Sequence, residues 1–474
     1  MTTDRFRSVR SGWQGWAAAD RGFALALLGF LPLAVWWLGW FPGWLSTDST
    51  DQWDQLMRFD ISNQHPAFHT WLMWLVSRVW VNPGMVTLVQ IVAMTLVLAV
   101  VARRLVELGA KPWAGSLWVF AIAALPAVGI STIALFKDVP FTIAMVWALA
   151  ELLGYVARPE RWPRVMPAVR LGTALALVWL LRHNGFITVV IIGLGLVWRL
   201  RRERGALVGF IGALVLSVAA VNLVLYPLIG VERASIQPAT VFISDVAASL
   251  VHESENFTDA EMEYVASIAP IEVWDRLYDC ADSTPLVFSP EFDKGIIVRD
   301  PAKFRELVVA TYLRDTDTVL GHRWCAASYL VEPWQHGDAY FHRPPFEIPL
   351  NDYGIVRRPV SDRAFSFTFA IYKWVEAPGR MWFTWRPALA VWAVVVALAL
   401  AVRRKRATGM ALPALLLAAH ITNVAVTTPA HDFRFAFPIY LMSLVLVGAT
   451  VLRVPNSGSV DETGAEVDGL SSRG

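Results

Sequence analysis

Charge is scarce in this chain. Only 17% of its 474 residues are Asp, Glu, Lys or Arg, against about 25% in a soluble globular domain. Cysteine is scarcer still: two thiols, Cys280 and Cys325, cannot make a disulfide-dense scaffold, and no Cys/His set has zinc-ligand spacing. A Walker loop, a dinucleotide fingerprint and a nucleophile elbow are all missing, so nucleotide-driven transport and serine hydrolysis have no support. The net charge is +2, and no nucleic-acid partner is expected.

What fills the chain instead is apolar. Hydrophobic residues make up 56% of it and the mean hydropathy is +0.47. The excess lies in blocks of roughly 17–22 residues, the length a helix needs to cross ~30 Å of hydrocarbon. About ten spans are expected, near 22–42, 84–102, 113–130, 139–157, 167–181, 185–198, 206–228, 386–402, 409–427 and 435–452. The fold class is therefore an all-α polytopic membrane protein in the lipid bilayer. The first block follows Arg5, Arg7, Arg10 and Arg21 but lacks a small-residue cleavage site, so it reads as a retained helix and not a signal peptide. The stretch Pro66 to Val81 contains Arg78 and reads as an interfacial helix.

Alternate short loops carry twenty basic residues, the intervening ones five: Arg58, Arg78, Lys137, Arg182 and Arg434. The positive-inside rule puts the first set in the cytoplasm, with both termini. Four blocks follow: a membrane module (1–230), a mostly helical extracytoplasmic domain (231–385), C-terminal membrane helices (386–454) and a disordered cytoplasmic tail (455–474). Thr258 to Ile268 and Pro301 to Leu313 look helical within the second block. Cys280 and Cys325 both fall there; in an oxidising compartment they could pair, the alternative being two independent buried thiols.

The short outer loops are brief yet hold Asp48, Asp51, Asp54, His65, Lys137, Asp138, Arg182, His183, Asn184, His431, Asp432 and Arg434. Ionisable groups at membrane depth are costly and are usually functional or mutually paired. Both signs arriving on one face from four loops suggest a shared polar cleft. If Ser49 to Phe59 is helical, Asp51 and Asp54 share a face. A carboxylate there could act as general base or bind a divalent ion; acids favourably placed on a helix dipole would look the same.

These residues carry a resemblance. Asp48, Ser49, Gln52, His65 and Pro66 in the first outer loop, KDVPF (Lys137 to Phe141), LRHNG (Leu181 to Gly185) and HDFRFAFPIY (His431 to Tyr440) together resemble the GT-C class of membrane glycosyltransferases, in particular an uncharacterised bacterial subgroup. Phe435 stands where many relatives have Tyr. The resemblance covers nearly the whole membrane region and only loosely the 231–385 segment. It implies transfer of a sugar from a polyprenyl-phosphate donor to a glycan, lipid or protein acceptor of the cell envelope. In that scheme Asp48, or failing it Asp51, is the base. Lys137, Arg182 and Arg434 hold the donor phosphate, and Asp138 holds a metal with Asp48 or orients Lys137. Gln52, His65, His183, Asn184, His431 and Asp432 support them. No cofactor is required, though a divalent cation could take part. The alternative is a carrier or flippase for a lipid-linked sugar or other anion.

Overall fold

The structure is a computed structural model that describes residues 17–232, 237–334, 346–405 and 407–453. The arginines at positions 5, 7 and 10 and the tail at 455–474 lie outside the described residues. Among those described there is no β-strand, only helices and three isolated bridges.

Six helices are long and apolar enough to cross a membrane: Ala17–Trp40 (α1), Pro83–Glu107, Asp138–Ala157, Arg204–Leu228, Pro378–Arg403 and Phe433–Val451. The chain is a helical, multi-pass membrane protein. The other four predicted spans are helical but differ from a plain crossing. Pro112–Ala124 and Pro126–Thr132 meet at a 67° bend, where Pro126 lacks the N–H that would continue the first helix. Val165–Leu181, Gly185–Leu200 and Ala411–Thr427 are only 16–17 residues long.

In chain order after α1, the elements that matter are α2 (Thr47–Arg58), α3 (Ala67–Ser77), α4 (Pro83–Glu107), α5 (Pro112–Ala124), α6 (Pro126–Thr132), α7 (Asp138–Ala157), α8 (Val165–Leu181), α9 (Gly185–Leu200) and α10 (Arg204–Leu228). They are followed by α11 (Gln237–His252), α12 (Asp259–Ile268), α13 (Pro301–Arg314), α14 (Thr316–Ala327), α15 (Asp362–Val375), α16 (Ala388–Arg403), α17 (Ala411–Thr427) and α18 (Phe433–Val451). Burial sorts the apolar helices. The most apolar windows of α7 and α18 are 83% and 78% buried, whereas that of α10 is 11% buried. The first two form the centre of the bundle, and α10 offers most of its surface to lipid. It still packs closely on α8: a methyl group at Gly172 would collide with the backbone of Phe210.

Helix ends follow their sequences. Asn82 caps α4 ahead of Pro83, the position where proline costs no hydrogen bond. Thr258 and Glu261 form a capping box on α12, the feature that makes this stretch legible as a helix start. A second apolar core, with Ile243, Val265, Trp274, Ile297, Phe304 and Leu307, lies between α11 and α13. Cys280 and Cys325 are joined there in a disulfide across a sequence separation of 45, their Cα atoms 5.9 Å apart. The native protein should therefore show no free thiol under denaturing conditions without reductant. Two titratable thiols in that assay would contradict the pairing.

Candidate functional site

The site begins with a helix that the sequence starts abruptly. Ser46 and Ser49 form a reciprocal capping box at the head of α2, and Asp48 sits in its first turn, where a carboxylate meets the positive end of the helix dipole. The amphipathic helix buries Trp53 and Leu56 against Leu45, Met73, Val86 and Leu135. Each such aliphatic burial contributes roughly 1.5–3 kcal/mol. It ends where Phe59 turns to a positive φ of 57°.

The same region is tied to the approach to α7. The Trp44 N–H donates to the Ile133 carbonyl (3.0 Å) and the Leu135 N–H donates to Trp44 (2.8 Å). The Ser49 hydroxyl donates to the Leu135 carbonyl at 2.9 Å. The first turn of α2 is thereby registered against the Phe136–Lys137 turn, two residues further on.

Lys137 then reaches His65: Nζ lies 3.0 Å from the ring Nδ1, while the opposite nitrogen, Nε2, is 3.6 Å from Asp51 Oδ2. Burial, reinforced by the charge of Lys137, pushes His65 down to about 4, so the ring is neutral at pH 7. A neutral ring that accepts from lysine at Nδ1 carries its proton on Nε2, facing Asp51. Burial raises the Asp51 carboxyl, against the hydrogen bond donated by Gln55. Burial also lowers Lys137, with Arg434 and Arg182 acting in the same sense and Asp48 and Asp138 opposing.

The two arginines complete the cluster. Arg182 pairs with Asp138 at 2.6 Å, both side chains almost fully buried. Arg434 lies 3.4 Å from Asp48 and 2.7 Å from Asp432, which also caps α18 by accepting from the Arg434 N–H. Both guanidinium groups lie over the Phe435 ring, each 4.9 Å from its centre, so one ring attracts both cations. A small cleft of about 20 Å³ lies beside Asp138 and Arg434, walled by Ser131, Phe136, Trp385 and Phe437 among others. Asp48, Lys137, Asp138, Arg182 and Arg434 thus converge from four separate segments at one end of the bundle.

Other candidates lie at the edge of this cluster or outside it, with His183 still within electrostatic reach of Lys137 and His65. Asp54 does not share its role with Asp51: it accepts from the Tyr353 hydroxyl at 2.6 Å and pairs with Arg58, because the chain at 351–355 passes over that side of α2. Gln52 donates to Thr70 and faces His69, fastening α2 to α3. Asn184 donates to Thr427, and His183 faces the backbone of Asn63 and Gln64. The His431 ring bonds the Cys325 carbonyl at 2.8 Å and stacks on Tyr329; it anchors the motif to the disulfide segment and does not enter the cluster. Among the described residues no group of three or more His, Cys, Asp or Glu could hold a metal ion. The two carboxylates considered for that role, Asp48 and Asp138, each face an arginine. The sequence reading placed Phe435 in its motif without a role and passed over Tyr353; the aromatics flanking the cations in FKDVPF and FRFAF were the available signal for the contact of Phe435 with the arginines.

Residues 58–291 match a family of unknown function, DUF6020. The matched stretch holds His65, Lys137, Asp138 and Arg182 and stops short of Asp48 and Arg434 on either side. Comparison with curated proteins and with solved structures yields no match.

Proposed function

We propose that the protein is a membrane glycosyltransferase of GT-C type that moves a sugar from a polyprenyl-phosphate donor to an acceptor hydroxyl. The observation that carries this is the meeting of an accessible carboxylate, Asp48, with the cations Lys137 and Arg434 beside an aromatic cleft. In the reaction Asp48 takes the acceptor's proton and the acceptor oxygen bonds to the anomeric carbon. The bond from that carbon to the phosphate oxygen breaks, and the lipid phosphate leaves as an anion. Lys137 and Arg434 stabilise that anion by fixed charge. The Asp48–Arg434 contact ties binding to chemistry: a donor phosphate competes for Arg434, and Asp48 becomes more basic as it loses its partner. Phe136, Trp385 and Phe437 give this end of the site an apolar edge, along which the first part of the prenyl chain would lie.

In this proposal the bent pair and the three shorter apolar helices also cross the bilayer, giving ten spans, with the motif loops on the extracytoplasmic face. Cysteines placed at Ser62 and Asn351 should then react with an impermeant maleimide in intact cells, and one at Lys111 should not. The reverse pattern would invert the orientation and remove the catalytic face from the lipid-linked donor.

The function is tested by incubating the purified protein with a panel of radiolabelled polyprenyl-phosphate sugars and an envelope extract as acceptor. Transfer of label to a product is expected. Binding of the donor without transfer by any of the panel would favour a carrier.

Lys137 gives a pH signature. Burial lowers its pKa from the ordinary 10.5, so the positive form is lost as pH rises through that lowered value, at a lower pH than for an ordinary lysine. Donor binding should weaken on the alkaline side earlier than an ordinary lysine would allow. Lys137→Arg should remove that early limb, because arginine stays charged. Donor affinity measured against pH in the two proteins is the check.

A further inference from the structure

The other end of the bundle carries a second concentration of charge that the proposed reaction does not use. Glu107, at the last turn of α4, is fully buried. It faces Arg104 at 2.8 Å, Arg161 at 3.2 Å, Arg158 at 3.5 Å and Arg103 at 3.7 Å. Glu151 on α7 faces Arg170 at 3.2 Å and Arg104 at 3.6 Å. Arg103 also reaches Asp20. Five guanidinium groups therefore share three carboxylates among the described residues. Glu151 follows Asp138 by thirteen residues on α7, so this box lies about 20 Å along that helix from the candidate site.

Two further observations point to a ligand. The Tyr155 hydroxyl, on a side chain 1% exposed, has no hydrogen-bond partner among the described residues and lies near Glu151, Arg170 and Arg161. A buried hydroxyl left unpaired costs roughly 1–3 kcal/mol, and an anionic oxygen at the box would accept its proton. Second, Arg170 is partly exposed, and apolar and aromatic side chains are exposed at the same end of the bundle: Val165, Met166 and Trp198. Arg199 and Arg201 lie over Trp162 and Trp198. Arginine beside interfacial tryptophan marks the height of lipid headgroups, where basic pockets between membrane helices take anionic heads.

We propose that this box binds the phosphate of an anionic phospholipid headgroup, held by Arg161 and Arg170 with the Tyr155 hydroxyl donating to a phosphate oxygen. Bound there, the headgroup would tie α7 and α8 together, an effect independent of the glycosyl-transfer proposal.

The full chain in mild detergent would be examined by native mass spectrometry with phosphatidylglycerol and with phosphatidylcholine of the same acyl chains. Retention of phosphatidylglycerol in preference to phosphatidylcholine is expected. Arg161→Gln and Arg170→Gln should each weaken it by roughly tenfold, the loss of a hydrogen bond to a charged group. Arg202→Gln, at the same end but outside the box, should leave it unchanged. Tyr155→Phe, which keeps the packing, should weaken it several-fold and serves if an arginine variant does not fold. Equal retention of both lipids, or an Arg202→Gln effect as large as that of Arg161→Gln, would overturn the proposal. An inorganic phosphate arm separates the sources: phosphate alone stabilising the protein against heat as strongly as phosphatidylglycerol would make this a soluble-anion site and discard the lipid assignment.

Discussion

Asp48→Asn should lower glycosyl transfer by about 10²–10⁴-fold, the range lost with a general base, while donor binding stays close to that of the parent. Asparagine keeps the shape of the side chain and removes its charge, and α2 keeps its Ser46–Ser49 cap. Arg434, released from Asp48 but still paired with Asp432, remains available to the phosphate, so affinity should hold or rise slightly. Arg434→Gln should behave differently, weakening donor binding and turnover together, because the phosphate is anionic before and after transfer. A carrier inverts the pattern, since transport needs the cations and no base. Turnover and donor affinity measured for both variants separate the two. Near-normal transfer by Asp48→Asn would pass the base to Asp51; near-normal transfer by the Asp51 variant as well would overturn the assignment of either aspartate as the base.

Asp138→Asn should destabilise the protein by about 3–5 kcal/mol, the cost of leaving one charge of a buried pair alone. The Arg182 guanidinium, almost fully buried, would then keep its contacts with Phe141 and Phe435 but lose its carboxylate. Asp138→Asn combined with Arg182→Gln should recover most of that loss, because neither residue would then carry an unpaired charge. Thermal unfolding of the single and double variants in one detergent measures the difference. A double variant no more stable than the single would mean that the pair does not act as a unit.

Much of the helical layout was legible because apolar blocks of the right length have few other fates, and because caps such as Thr258–Glu261 are local chemistry. The bend at Pro126 was hidden inside a single apolar block. Within the site, the sequence named Asp48, Lys137, Arg182 and Arg434 by type and by loop, but it could not say who pairs with whom. Asp138 looked free for a metal or for Lys137 until Arg182 came within 2.6 Å of it. Asp54 looked equivalent to Asp51 until Tyr353, almost three hundred residues away, took it. Pairings at that range depend on how the helices pack, which no local pattern encodes.

The bridge between Trp44 and Ala134 is made by main-chain atoms, so many side chains at those two positions would satisfy it. What it cannot absorb is a change of length. Adding or removing one residue between 44 and 48, or between 135 and 137, would carry the carboxylate or the lysine away from the other without altering a single charge. Along these two stretches related chains should keep the same number of residues.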